Sequence, residues 1–138
     1  MLANAPVVAV LPCVDLAKAR QFYGETLGLP EVPMPLPEGA GDQSSAGAMY
    51  RCGGETMLFV YARSTPTKAD HTVVGWIVKD LNDVANELLD RGVTFEVYPE
   101  MPNVEWDDRG VAISTDTGKG AWFKDPEGNI LSITEMPG

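Results

Sequence analysis

The segment WFKDPEGNILSITE carries two hydroxyls, Ser132 and Thr134, and one late acid, Glu135, on an alternating run that follows a DPEGN turn. Successive side chains of a strand point to opposite faces, so Ser132 and Thr134 share one face and Leu131, Ile133 and Glu135 the other. General acid-base chemistry needs a titratable group within reach of a substrate proton. Besides Glu135, the candidates scattered along the chain are Tyr61, His71, Glu100 and Asp108. His71 is the only histidine and stands beside Asp70 at the start of a β-rich run, a place that reads as exposed surface. A divalent ion needs several N or O donors converging at about 2.0 to 2.3 Å, so one imidazole without matching carboxylates makes no metal site. The run EWDDRG sets Trp106 among Glu105, Asp107 and Asp108, an aromatic face with acids around it that suits a planar or cationic ligand. The alternative is that Trp106 caps an edge of the core and the acids are solvated. Cys13 and Cys52 have no CxxC spacing and read as small buried residues in a reducing compartment.

Composition sets outer limits on these possibilities. A chain of 138 residues fits one compact domain and buries roughly two thirds of its unfolded surface without staples. Ten basic residues stand against twenty acidic ones, a net charge of -10 that repels phosphate backbones and anionic headgroups, so neither nucleic acid nor a membrane is an expected partner. No leader-like segment opens the chain and no apolar run reaches bilayer length, which places the protein in the cytoplasm.

The elements that must position these groups come in a repeated order. Val7 to Leu11 is a β-branched run stopped by Pro12, and DLAKARQFYGETLGLP follows as a helix capped by Asp15, with Leu16, Ala19, Tyr23 and Leu27 on one face and Gly28 at its end. Residues 31–48 are rich in Pro, Gly and Ser and read as a loop, a lid or a plain connection. AGAMYRCGGETMLFVYAR reads as two strands hinged at Gly53 and Gly54. The pattern then recurs: HTVVGWIVKD as a strand, DLNDVANELLDRGV as a capped helix, and TFEVYPE, GVAIST, GAWFKD and NILSITE as strands, separated by the loop MPNVEWDDRG, a TGK turn and the DPEGN turn. Asp15 to Asp80 and Leu16 to Leu81 are each 65 apart, whereas Gly28 to Gly92 is 64, so the second helix has one residue fewer. In each module one helix can shield only one face of its sheet, which leaves the other faces to enclose a cleft or meet a partner. Trp76 and Trp122 lie within strands and read as core.

VDLAKARQFYGETLGL near the start and WFKDPEGNILSITE at the end resemble the vicinal-oxygen-chelate superfamily of glyoxalases, extradiol dioxygenases, fosfomycin-modifying enzymes and bleomycin-resistance proteins. The resemblance spans essentially the whole chain. It implies an α+β fold of two tandem βαβββ modules forming a cupped mixed sheet, a single glyoxalase-like domain over 1–138 with modules at about 6–63 and 70–136, assembled as a homodimer. In metal-dependent members of that superfamily, His or Gln on the first strand of each module and Glu on later strands hold a divalent ion. The corresponding positions here are Val8, Val73, Ser132 and the strand TMLFVYA, and none offers a donor. By the same register Ser132 and Thr134 face the cup, and Glu135 falls outside the ligand set as a solvated strand end.

The implied site is a mostly apolar cup without metal or other cofactor, lined by Val8, Val10, Val73, Gly75, Ser132 and Thr134, by Phe59 and Tyr61 if their strand faces inward, and approached by Trp106 and Asp108. Two functions follow. One is a metal-independent binding protein similar to the bleomycin-resistance group, holding an aromatic or cationic compound near a dimer interface. The other is a lyase, isomerase or dioxygenase-type enzyme with an atypical metal site or none; fold alone is weak warrant for activity.

Overall fold

The computed structural model describes residues 1–34, 37–114, 116 and 118–137. Two compact units divide the chain, Met1–Lys68 and Ala69–Gly138. In the first, β1 (Val8–Cys13), α1 (Leu16–Arg20), β2 (Glu31–Val32), β3 (Gly47–Arg51) and β4 (Met57–Ala62) form a sheet of order β1-β4-β3-β2 with β1 parallel to β4. In the second, β5 (Thr72–Ile77), α2 (Leu81–Asp90), β6 (Phe95–Glu96), β7 (Glu105–Trp106), β8 (Ala112–Ser114), β9 (Gly118–Lys124) and β10 (Ile130–Glu135) form a sheet of order β5-β10-β9-β8-β7. Here β5 runs parallel to β10, and β6 and β8 share one side of β9. The fold is thus α+β, a βαβββ order that recurs with two-residue strands added. No helix among the described residues is long and apolar enough to cross a membrane.

Both helices start where the sequence predicts. The Asp15 carboxylate accepts from the Lys18 N–H at 3.1 Å and that of Asp80 from the Asp83 N–H at 3.2 Å, each relieving an orphan donor of the first turn. Gly28 (φ 73°) and Gly92 (φ 91°) close them in the left-handed region that favours glycine. The one-residue difference between the repeats also has a structural counterpart. After Arg20 the first helix widens into a π-helix over Gln21–Thr26, closed by the Leu27 N–H donating five residues back to the Phe22 carbonyl at 2.9 Å. A π turn absorbs an added residue while keeping the flanking residues on their faces, and Tyr23 within it is fully buried against Tyr50, ring centroids 5.9 Å apart.

Several sequence expectations shift. The 31–48 segment contains β2 and the start of β3, and Pro35 and Leu36 of the expected lid lie outside the described residues. Thr115 of the predicted GVAIST strand and Thr117 of the TGK turn lie outside them too. Gly53–Glu55 is a 3₁₀ turn in which Glu55 (φ 63°) joins Gly54 in a left-handed conformation, so the connection is longer than a two-residue hairpin. TFEVYPE pairs only at Phe95–Glu96, while β7 arises inside the expected loop MPNVEWDDRG. Cys13 is buried, Cys52 is half-buried instead, and neither is in a disulfide.

Each sheet buries the face its helix covers. In the first unit Leu11, Cys13, Ala48, Tyr50, Leu58 and Val60 are buried on the side of Ala19 and Tyr23. In the second, Leu81, Ala85 and Leu88 of α2 lie over β9 and β10, where Ala121, Phe123, Leu131 and Ile133 are buried. Full burial of a Leu or Phe side chain contributes about 1.5–3 kcal/mol, which makes this face the main source of each unit's stability.

Glu135 belongs to that helix-side face and is not a solvated strand end. Its Oε1 accepts the Leu81 N–H at 3.0 Å, and its Oε2 stands 4.0 Å from Lys119 Nζ. The last residue of β10 therefore caps the first turn of α2 together with Asp80, and a negative charge there also complements the helix dipole. We expect Glu135→Ala to lower unfolding free energy by about 1 kcal/mol in urea titrations, and Glu135→Gln, which keeps an acceptor, to lose less. Equal stability of the alanine variant and the wild type would remove the capping role.

Candidate functional site

The β9–β10 hairpin sets which side chains reach the face that α2 leaves open. Asp125 is buried in the DPEGN turn, where one carboxylate oxygen accepts from the Glu127 and Asn129 N–H groups, both at 2.9 Å, and the other from Asn129 Nδ2–H at 2.8 Å. Gly128 supplies the left-handed step at φ 91°. The turn locks Lys124 opposite Ile130, and therefore Trp122 opposite Ser132 and Gly120 opposite Thr134.

Pairing then extends two rows across the open face of the second unit. Ile77, Thr134, Gly120, Ala112 and Trp106 form one row; Gly75, Ser132, Trp122 and Glu96 form the next. Small residues make the middle of this surface. A Cβ at Gly75 would stand 2.7 Å from Ser132 Oγ, so the hydroxyl leans into space that only glycine leaves. A Cβ at Gly120 would lie 3.5 Å from Cη2 of Trp122, which puts the indole over that glycine.

Around this floor stand three aromatic rings. Trp106 and Trp122 have centroids 5.9 Å apart at 53°, and Tyr98 meets Trp122 edge to face at 5.8 Å and 82°. All three are half-buried, so ring surface remains available to a ligand. Lys124 Nζ and Glu96 Oε1, 3.4 Å apart, place an exposed ion pair beside Trp122. Burial, then the neighbouring Glu96, push the Tyr98 hydroxyl above its ordinary range against the opposing effect of Lys124, so it remains a hydrogen-bond donor at neutral pH.

The acids near Trp106 do not act alike. Asp107 turns back into its own loop: Oδ1 accepts from the Arg109 and Val111 N–H groups, both at 2.9 Å, and Oδ2 accepts from Arg109 Nε at 3.0 Å and Nη2 at 2.7 Å. Arg109 reaches on to α2, donating to Asn86 Oδ1 and Asn82 Oδ1, both at 2.9 Å. This clamp fixes the β7–β8 connection to the helix and so holds Trp106 in place beside Trp122. Partial burial raises the Asp107 pKa, but hydrogen bonds from Arg109 and the backbone outweigh it and leave it below the ordinary carboxylate value. Asp108 is exposed in the same connection, outside the paired rows.

In the first unit, Val8, Val10, Phe59 and Tyr61 share the open face of the sheet with Met49 and Met57. Phe59 and Tyr61 meet edge to face at 6.4 Å, and Val10 is 57% exposed. Of the residues singled out in the second unit, Gly75, Trp106, Ser132 and Thr134 lie on its open face. Val73 falls where pairing slips from Ile130–Thr72 to Leu131–Val74, an irregular step in β5. His71 and Asp70 are solvent-exposed, 3.9 Å apart. Trp122, read from sequence as core, belongs to the open face, and Tyr98 was not foreseen at all. The missed signal was parity: a five-residue turn that pairs Lys124 with Ile130 puts Trp122 on the face of Ser132.

The residues do not fit a divalent ion. Val8, Val73 and Ser132, the positions that the resemblance marks for donors, carry no imidazole or carboxylate, β4 presents Met57, Phe59 and Tyr61 on its open side, and among the described residues no three His, Cys, Asp or Glu side chains converge.

The model of the Glyoxalase/Bleomycin resistance protein/Dioxygenase superfamily matches residues 6–133. No curated protein sequence matches the chain. Among solved structures, a glyoxalase family protein from Bacillus anthracis is similar at 20% identity and TM-score 0.67, covering 99% of each chain. TnmS3, an antibiotic binding protein from Streptomyces sp. CB03234, is similar at 22% identity and TM-score 0.62, covering 96% of this chain and 98% of that one. A lactoylglutathione lyase from Agrobacterium tumefaciens is similar at 18% identity and TM-score 0.61, covering 96% and 93%. At these identities the likeness is one of fold.

The Asp107 clamp makes a pH-dependent contribution. A carboxylate whose folded pKa is depressed stabilises the fold above its unfolded pKa, about 3.9, and loses that contribution as pH falls through the folded value. Asp107→Asn should therefore be less stable than wild type by about 1–3 kcal/mol at pH 7. The gap should narrow as urea titrations are repeated at pH values below about 4. A gap that stays constant down to pH 2 would show that the Asp107 charge is not what holds the loop.

Proposed function

We propose that the chain, which belongs to the Glyoxalase/Bleomycin resistance protein/Dioxygenase superfamily, is a metal-independent small-molecule binding protein that holds an aromatic or cationic compound against the open sheet face of its second unit. The observation that carries this reading is the cluster of Trp106, Trp122 and Tyr98 over a floor of Gly75, Gly120 and Ser132. Ring faces attract planar ligands by stacking and cations through their quadrupole. Thr134 and the Lys124–Glu96 pair supply the few polar groups that orient a ligand in a mostly apolar site. A net charge of -10 adds a long-range attraction for cations.

Lyase or dioxygenase chemistry of the metal-dependent kind requires converging donors, and Val8, Val73 and Ser132 offer none, which favours binding over catalysis. The similarity to TnmS3, itself an antibiotic binding protein, agrees with this reading. In this reading the protein works in the cytoplasm, and as a homodimer: Val7 and Val10 on or beside the outer strand β1 of the first unit are 85% and 57% exposed, apolar surface that a second copy would cover.

The test is titration with proflavine, a planar aromatic cation, followed by tryptophan fluorescence. We expect saturable quenching that is indifferent to EDTA and at least about five-fold weaker in Trp122→Ala, since one stacking partner contributes roughly 1–3 kcal/mol. Quenching that requires added manganese or zinc would contradict the proposal, as would affinity unchanged in both Trp122→Ala and Trp106→Ala.

A further inference from the structure

A separate pocket of about 230 Å³ opens in the first unit between β2, the start of β3 and residues 41–44. It contains no residue of the aromatic site. Arg20 reaches into it from α1: Nε donates to Glu31 Oε1 at 3.2 Å, and Nη2 donates to the Ser44 carbonyl at 2.7 Å and the Gly47 carbonyl at 3.2 Å. The guanidinium is thereby fixed in place, and among the described residues nothing accepts from Nη1. Glu31 Oε1 is taken by Arg20, while Oε2 has no partner among the described residues. Asp42 provides a second carboxylate. Backbone and hydroxyl hydrogen bonds from Ser44 hold it below its ordinary range, with Arg20 assisting against slight desolvation, so it is ionised at neutral pH. Pro33, Met34 and Ala48 add apolar lining.

These groups discriminate between ligand charges. A simple anion suits the idle edge of Arg20 but meets two carboxylates. A simple cation suits the carboxylates but meets the guanidinium. A zwitterion satisfies both, its carboxylate on Nη1, in the charge-assisted geometry guanidinium favours, and its ammonium on Asp42. The volume is below the roughly 300–1,000 Å³ of sites for drug-sized molecules, and the apolar wall calls for a short hydrocarbon side chain. We infer that this pocket binds a free α-amino acid with an apolar side chain, its carboxylate held by Arg20 and its ammonium by the Asp42 carboxylate. Such a site is independent of the aromatic face and would give the protein a second ligand of a different chemical class.

Calorimetric titration of the full chain with L-leucine, 4-methylpentanoate and 3-methylbutylamine tests this, because the last two are leucine without its ammonium or without its carboxylate. The inference predicts saturable L-leucine binding, at least ten-fold weaker binding of either truncated compound, and a ten-fold or greater loss for L-leucine in Asp42→Asn. Asp42 is exposed, so that variant should keep the wild-type melting temperature. Trp122→Ala should bind L-leucine as wild type does, which separates this site from the aromatic one. No saturable L-leucine binding to the wild type, equal binding of a truncated compound, or L-leucine affinity lost in Trp122→Ala but kept in Asp42→Asn would each overturn it.

Discussion

Strand register at the Asp125 turn is the constraint on which the second unit depends. Side chains alternate along a strand, so a slip of one residue of β10 against β9 would exchange Leu131 and Ile133 with Ser132 and Thr134 while Phe123 and Trp122 kept their faces. Leu131 and Ile133 would then lose their cover under α2, and two hydroxyls would take their place in the core. Three hydrogen bonds to one buried carboxylate exclude the slip. The same acid that shapes the turn thus determines both the core and the ligand-facing surface.

Two further polar contacts join the helix to the sheet at opposite ends of the site. Glu135 ties the end of β10 to the first turn of α2, and Arg109 ties the β7–β8 connection to Asn82 and Asn86 on the same helix. Neither group faces the ligand surface. Their effect on function is indirect: they hold the strands that carry Trp106 and Thr134 at a fixed distance from Trp122. A binding surface made of rings on separate strands needs such anchoring, because stacking falls away quickly once the rings are free to drift.

Much of this was legible in the sequence. Asp15 and Asp80 announced the helix starts, Gly28 and Gly92 their ends, and the spacing difference of one residue corresponds to the π-helical turn at Gln21–Thr26. Alternation placed Ser132 and Thr134 together. Alternation also places Glu135 on the correct face, but its contact with Leu81, 54 residues away, leaves no local pattern, so the sequence alone points to a solvated strand end. For Trp122 the usual burial of large aromatics points to the core, whereas strand parity with Ser132 places it on the open face. Asp107 and Asp108 look equivalent in EWDDRG, and only the turn back toward Val111 makes one a clamp and leaves the other in solvent. Short pairings such as β6 and β7 escape periodicity altogether, since two residues cannot show a period.

The central claim is that an aromatic surface built on β7 and β9 receives a planar guest on the side away from α2. The chain has three tryptophans, and Trp76, paired with Ile133, lies on the helix side. Their three indole N–H resonances in a ¹H–¹⁵N spectrum report the two faces separately as proflavine is added. The account predicts saturable shifts for Trp106 and Trp122 with Trp76 unmoved. Shifts confined to Trp76, or none at saturating proflavine, would contradict it.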